Sequence, residues 1–231
     1  MATANVATYS GRSILWNFVK AGAGAAEPKN IGWGTGASAS VSPAQIFNVN
    51  LFAPQTEVRV AGASTLTKTA QLADTYQVIG TLTCAVAAKT ITEAGLFDTT
   101  TLSPTTTVSV SMTAATTVVG LGAASGIATS SYYRQIELET VLVTAGSNST
   151  TETIVRGALG STSAVHSSGV ATTVGGDGGA TTGLGSLSGQ AGTSQASIAA
   201  LGGSMFAHAD FAGIALNVSD SINFTFIDQL T

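Results

Sequence analysis

Short runs in which apolar and polar residues alternate are the dominant pattern of this chain, and helical periodicity is nearly absent. The longest run has its apolar or small members at every second position, namely Tyr76, Val78, Gly80, Leu82, Cys84 and Val86. A period of two belongs to strands that bury one face. Thr- and Val-rich runs separated by Gly, Ser, Asn and Pro are typical of β-sandwiches and barrels. The sequence therefore predicts an all-β chain, specifically a jelly-roll-like β-sandwich.

Two other runs lead to the same prediction. Ile136 and Leu138 alternate with Glu137 and Glu139, which places both glutamates on the face opposite the apolar residues. Near the end of the chain a similar alternation has the apolar members Ile222, Phe224 and Phe226. The single cysteine, Cys84, lies on the inward face of its run, so we expect it to be a small core residue.

Charged residues are unusually scarce. They make up 9% of the chain, with eight Lys and Arg against twelve Asp and Glu, whereas an ordinary globular domain has roughly 25%. No cluster of basic residues exists that could neutralise nucleic-acid phosphates or an anionic membrane surface. No apolar run is long enough to span a bilayer, and no signal peptide is visible. With little like-charge repulsion between copies, such a chain suits a component that is packed against neighbours.

Composition divides the chain into four parts. Residues 1–30 are expected to form an N-terminal arm or first strand, and residues 31–98 and 205–231 the β-sandwich core. Residues 99–174 hold a β unit inserted into that sandwich. Residues 175–204 are a Gly/Ser/Ala/Thr tract with too little apolar surface for a core of its own, so it is a linker or an arm that a partner orders. The sequence thus predicts one interrupted sandwich with extended low-complexity arms.

Residues that could carry chemistry are few and scattered. The two histidines, His166 and His208, and Cys84 lie far apart, without the spacing of a metal site. Residues 185–189 approach the Gly-x-Ser-x-Gly pattern of a serine nucleophile but have Leu at the central position. Residues 32–37 fit the Gly-x-Gly-x-x-Ala dinucleotide pattern, but no β-branched strand precedes them. The sequence therefore predicts no enzyme, no metal and no cofactor.

Aromatic residues are the candidates for contact with a partner. The densest apolar stretch near a terminus contains Trp16 and Phe18, which fit either a first core strand or an arm that docks on a neighbouring subunit. Two adjacent tyrosines offer one patch that could bind a sugar, although packing in a core or an interface is the favoured explanation. The candidate interface residues are Trp16, Phe18, Trp33, Tyr132 and Tyr133.

Several strings occur in an order that resembles a family of tailed-bacteriophage virion proteins, labelled head decoration, head fibre or minor tail proteins. In this chain the strings occupy residues 31–36, 57–60, 91–98, 205–217 and 219–226. The first reads Ile-Gly-Trp-Gly-Thr-Gly, and the third reads Ile-Thr-Glu-Ala-Gly-Leu-Phe-Asp. The resemblance implies a structural role for these motifs, with Glu93 fixing local geometry rather than acting as a catalyst.

A second set of strings is nested inside the first. Residues 139–144 and 154–169 are similar to a small β module that is inserted in many phage virion proteins. Ser161 stands where that module usually has Thr. The resemblance implies that Arg156 is a buried or half-buried partner and that the module's glycines form turns.

Together these patterns predict a non-enzymatic virion structural protein, most specifically a capsid decoration or cement protein. Its partners would be the major capsid protein or neighbouring virion proteins, and it would form a homo-oligomer, for which a trimer is our working assumption. The resemblance places it in the phage particle after synthesis in the cytoplasm of a host bacterium. The alternatives are a neck, tail or baseplate adaptor, and a fibre module that binds a host receptor through Tyr132 and Tyr133.

Overall fold

The fold was analysed in a computed structural model that describes residues 2–12, 14, 26–36, 43–68, 74–127, 132–175 and 202–229. The described residues form fourteen strands, a helical segment at residues 9–12 and 14, and one 3-10 turn at Ala158–Gly160. The strands are β1 (Ala2–Ala7), β2 (Asn30–Gly34), β3 (Val60–Ala61), β4 (Ala63–Thr67), β5 (Thr75–Thr83), β6 (Lys89–Phe97), β7 (Thr105–Thr107), β8 (Val118–Gly120), β9 (Tyr132–Ile136), β10 (Glu139–Ala145), β11 (Thr151–Val155), β12 (Ala171–Gly175), β13 (Met205–Leu216) and β14 (Ser221–Gln229). Their described pairings are all antiparallel. The prediction of an all-β, sandwich-like fold is confirmed.

Two sheets form the sandwich. The larger has the order β1-β13-β6-β2-β3, and the smaller has the order β14-β5-β4. Their inward side chains share one apolar core that includes Trp33, Val78 and Phe206. A Cβ on Gly80 would lie 2.9 Å from the Cδ1 of Ile31, so the sheets approach each other closely where the alternating run carries a glycine. Cys84 is fully buried in this core, as its position in the run predicts.

The remaining sheet is drawn entirely from strands between Thr105 and Gly175. Its order is β7-β12-β9-β10-β11-β8. A backbone bridge joins Val108, just after β7, to Leu121, just after β8. The two edges therefore meet, and the sheet curls around its own apolar core. This curled sheet follows β6 and precedes β13 in the chain, the position predicted for the inserted domain.

A coil segment at residues 47–51 connects the sandwich to the curled sheet. The amide of Val49 donates to Oε1 of Gln135 over 3.2 Å, and Nδ2 of Asn50 donates to the carbonyl of Val174 over 2.6 Å. A Cβ on Gly175 would lie 2.3 Å from the carbonyl oxygen of Val49, which shows how closely the two backbones meet. Hydrogen bonds as well as covalent links thus fix this junction.

The predicted alternation at residues 136–139 is wrong. Ile136 pairs with Glu139 across a turn formed by Glu137 and Leu138, and Glu137 has φ of 50°. This turn shifts the face on which the following residues lie, so Glu139 is fully buried although Glu137 is half exposed. The first run also ends sooner than predicted: β5 stops at Thr83, and Val86 is exposed.

Candidate functional site

Glu93 on β6 is a buried carboxylate that holds two loops. Its Oε1 accepts hydrogen bonds from the amides of Gly36 over 3.1 Å and Ala53 over 2.9 Å, and its Oε2 accepts one from the amide of Phe52 over 3.0 Å. A buried carboxylate is stable only when hydrogen bonds replace its lost hydration. Glu93 therefore ties both loops to the centre of the sandwich, which is the geometric role that the resemblance implies for it.

His208 on β13 completes this group of hydrogen-bonded residues around a buried carboxylate, which we call the first node. Its Nε2 lies 3.0 Å from Oε2 of Glu93, and its Nδ1 lies 2.9 Å from Oδ1 of Asn48. The ring of Phe52 packs edge-on against the imidazole with centroids 5.1 Å apart. Both ring nitrogens are hydrogen-bonded and the side chain is fully buried. In this arrangement the histidine links β13, β6 and the coil around Asn48.

Glu139 is the centre of a second node, in the curled sheet. It accepts hydrogen bonds from Arg156 Nε over 2.7 Å and Nη2 over 2.6 Å. It also accepts from the amides of Gly157 and Ala164, each over 3.0 Å. His166 Nε2 lies 2.8 Å from its Oε2. Burial by itself raises the pKa of this carboxyl group, but the hydrogen bonds from Arg156, His166 and the two amides outweigh it and lower the pKa to about 2.

Arg156 and His166 extend this node to the surrounding turns. Nη1 of Arg156 donates to the carbonyls of Thr113 over 2.6 Å and Thr116 over 3.1 Å. Nδ1 of His166 lies 2.7 Å from Oε2 of Glu137. Burial lowers the pKa of His166, but the hydrogen bonds with two glutamates raise it above its ordinary value. The node thus joins the segments at residues 113–116, 137, 156–157 and 164–166 around one buried ion pair.

The third node is a second buried ion pair, and it lies in the same sheet. Arg134 on β9 contacts Glu152 on β11 in bidentate fashion, with Nε–Oε2 at 2.9 Å and Nη2–Oε1 at 2.8 Å. Both side chains are fully buried, and the hydroxyl of Tyr132 donates to the same carboxylate. Burial, and then the hydrogen bond to Glu152, raises the pKa of Tyr132. The pair ties β9 to β11, which flank β10.

Arg59 binds the two points where the chain leaves and re-enters the sandwich. It donates to the carbonyl of Thr99 over 3.3 Å and to Oγ of Ser103 over 3.2 Å, and it also donates to the carbonyl of Gly202. Its guanidinium lies 3.4 Å from the ring centroid of Phe97. Burial lowers the pKa of this guanidinium to about 9, so it remains charged at neutral pH.

The side chains of these nodes hold segments of the backbone in place by hydrogen bonds rather than pointing into a cleft. Each carboxylate is occupied by donors from the same chain, and Ser161 is also used internally, because its Oγ donates to the carbonyl of Thr140 and accepts from the amide of that residue. Among the described residues, His, Cys, Asp and Glu side chains nowhere form a group of three or more that could hold a metal ion. The arrangement fixes local geometry.

The candidate interface residues lie in two places. Trp33, Tyr132 and Tyr133 are 1%, 3% and 7% exposed and pack within this chain. Trp16 and Phe18 lie outside the described residues, as does most of the tract 175–204. Contact of these five residues with a partner remains a prediction.

Sequence reasoning missed Glu139, Arg134 and Glu152 as node residues. The available signal was a charged residue within a strand-like run of a chain that has few charges. Such a residue is either solvent-facing or paired, and the partner of Glu139 is seventeen positions away in sequence. Most of the other donors are backbone amides, which leave no mark on the sequence.

Burial of charge leaves a surface with even fewer charges than the composition suggests. The buried charged residues are Glu57, Arg59, Glu93, Asp98, Arg134, Glu139, Glu152 and Asp210. Aliphatic side chains are exposed on the outside, with Leu66 at 68% and Val165 at 70%. With few charges outside, little like-charge repulsion opposes contact between copies.

Comparisons with protein-family models, with curated proteins and with solved structures find no match for this chain. In the part of the chain that the structure describes, no helix has the length and apolarity needed to cross a bilayer.

Proposed function

We propose that this chain is a non-enzymatic structural protein of a tailed-phage particle, and more narrowly a capsid decoration protein that cements the head lattice. The observation that carries the proposal is the distribution of charge: two Arg–Glu ion pairs are buried, and among the described residues few charged side chains are exposed, whereas several aliphatic side chains are. The order of the motifs, which resembles phage virion proteins, supports the same role.

The mechanism is mechanical. The sandwich and the curled sheet act as a rigid body because buried nodes fix their loops and hydrogen bonds fix the junction at residues 47–51. Copies associate as a homo-oligomer and contact the major capsid protein or neighbouring virion proteins through surfaces that lose little hydrated charge on binding. Modest interfaces, repeated over many copies, then resist the internal pressure of packaged DNA.

Addition of the purified chain to particles that lack it tests this function. We expect saturable binding at a simple fraction of the capsid subunits and a rise in the temperature at which the particles release DNA. Saturation at the number of copies that forms a single ring per particle would instead support a neck or tail adaptor. Absence of binding, or binding without a change in release temperature, would contradict the cement role.

A further inference from the structure

A small cleft opens at one end of the sandwich, and a carboxylate lies in it. The lining includes Tyr76 of β5, Phe206 of β13, and Phe226 and Asp228 of β14. The rings of Tyr76 and Phe206 meet nearly at right angles, with centroids 6.2 Å apart. The cleft is therefore walled mainly by aromatic and aliphatic surface and contains one carboxyl group.

Asp228 has no hydrogen-bond or ion-pair partner among the residues that the structure describes. Tyr76 pairs with Asp228 across β5 and β14, but its hydroxyl faces two other acceptors, the carbonyl of Pro28 at 3.1 Å and Oε1 of Glu27 at 3.3 Å. Glu27 is itself paired with Lys29 at 2.8 Å. Asp228 thus differs from the buried carboxylates of the nodes, each of which is satisfied within the chain.

The chemistry of the cleft selects its ligand. A half-buried carboxylate without a partner favours a cation that donates hydrogen bonds. Aromatic rings favour a cation that also has an apolar stem, because the stem covers apolar surface and the ring faces attract positive charge. A primary ammonium on an alkyl chain meets both requirements. Because the cleft is small, only the ammonium group and the last methylenes of such a chain would enter it.

We propose that this cleft binds the ammonium group and alkyl stem of a lysine side chain from a neighbouring protein chain, with Asp228 as the acceptor. The source of the lysine rests on the proposed function, in which the chain is packed against neighbours. The preference for an alkylammonium group depends only on the cleft.

The first experiment tests the cleft alone. The full chain is titrated with n-butylammonium chloride, and with n-butanol and sodium chloride as matched controls, while NMR follows the amide signals of residues 226–228. We expect a saturable shift with butylammonium at millimolar concentration, at least tenfold weaker binding of butanol, and no saturable shift with sodium chloride. Equal binding of butanol and butylammonium would overturn the proposal.

Variants assign the site. Asp228→Asn keeps the size of the side chain and removes its charge, and should weaken butylammonium binding at least tenfold. Asp220→Asn removes a carboxylate from the exposed turn before β14 and should leave binding unchanged. Circular dichroism checks that both variants keep the fold. Unchanged binding to Asp228→Asn would overturn the assignment.

The second experiment tests the source of the lysine. Carbodiimide treatment of particles that contain the chain activates carboxyl groups and joins each to an amine in direct contact with it. We expect mass spectrometry to find Asp228 linked to a lysine of another chain. If butylammonium binds but no such link forms, the cleft is a cation site without a lysine from a neighbour. If the chain is absent from particles, the proposed function fails while the titration still decides the chemistry of the cleft.

Discussion

Replacement of Glu139 by glutamine removes the charge at the centre of the second node and keeps the shape of the side chain. The amide group introduced by Glu139→Gln would direct donor hydrogens at atoms that are themselves donors: the guanidinium of Arg156, the ring of His166 and two backbone amides. Loss of one member of a buried ion pair costs about 3–5 kcal/mol, because the other charge is left without compensation.

The pKa of Glu139 gives an independent magnitude. It falls from an ordinary value of 4.5 to about 2 in the folded chain, and each pKa unit corresponds to about 1.4 kcal/mol, so the ionised form contributes on the order of 3 kcal/mol. Because the folded pKa is lowered, this contribution is present above pH 4.5 and is lost as the pH falls toward 2. His166 shares the same contact, so its raised pKa is not an additional contribution.

Urea unfolding and hydrogen exchange measure the effect. We expect Glu139→Gln to lower the free energy of unfolding by about 3 kcal/mol or more at pH 7 and to increase amide exchange in β10 and β11 more than in β5 and β6. Glu137→Gln is the matched control. Glu137 is half exposed and contacts the same histidine, so its replacement should cost less than about 1 kcal/mol. A loss below about 1 kcal/mol for Glu139→Gln would refute the view that the node holds the curled sheet together.

Other parts of the molecule give three further predictions. Gly175→Ala should lower the free energy of unfolding in urea by about 1–3 kcal/mol, because its Cβ would lie 2.3 Å from the carbonyl oxygen of Val49. An unchanged free energy of unfolding would contradict a tight junction. Burial raises the pKa of Asp228, so the wild type should lose stability as the pH rises through that pKa. The melting temperature of Asp228→Asn, measured over the same pH range, should not show this loss. Identical pH profiles for the two proteins would contradict the raised pKa. Deletion of residues 180–197 should leave the melting temperature of the free chain nearly unchanged and reduce the heat stability of particles; particles as stable as wild type would remove that tract from the cement role.

The β class of the fold could be predicted from the sequence because side-chain alternation depends only on neighbouring residues. The run that contains Val78 and Leu82 buries these residues as predicted, and the run at the end of the chain buries Phe226. The same logic failed at Glu139, where a turn residue with positive φ at Glu137 shifts the face on which later residues lie. Alternation alone gives no sign of such a shift.

The nodes could be predicted only in part. The resemblance drew attention to Glu93 and Arg156, and both are structural partners in the fold. The pairing of Arg134 with Glu152 needs strands β9 and β11 to flank β10, a long-range arrangement that no local pattern encodes. The cleft at Asp228 is equally hidden, because its walls come from five strands, β1, β5, β6, β13 and β14, whose positions run from Ala7 to Asp228.

The copy number of this chain in purified phage particles tests the central claim most directly. Quantitative mass spectrometry gives the ratio of this chain to the major capsid protein. The proposed cement role predicts a ratio near one or near a simple fraction set by the capsid lattice. A ratio that matches a single ring or a few fibres would contradict a role in the head lattice, and absence from the particle would contradict any role as a virion protein.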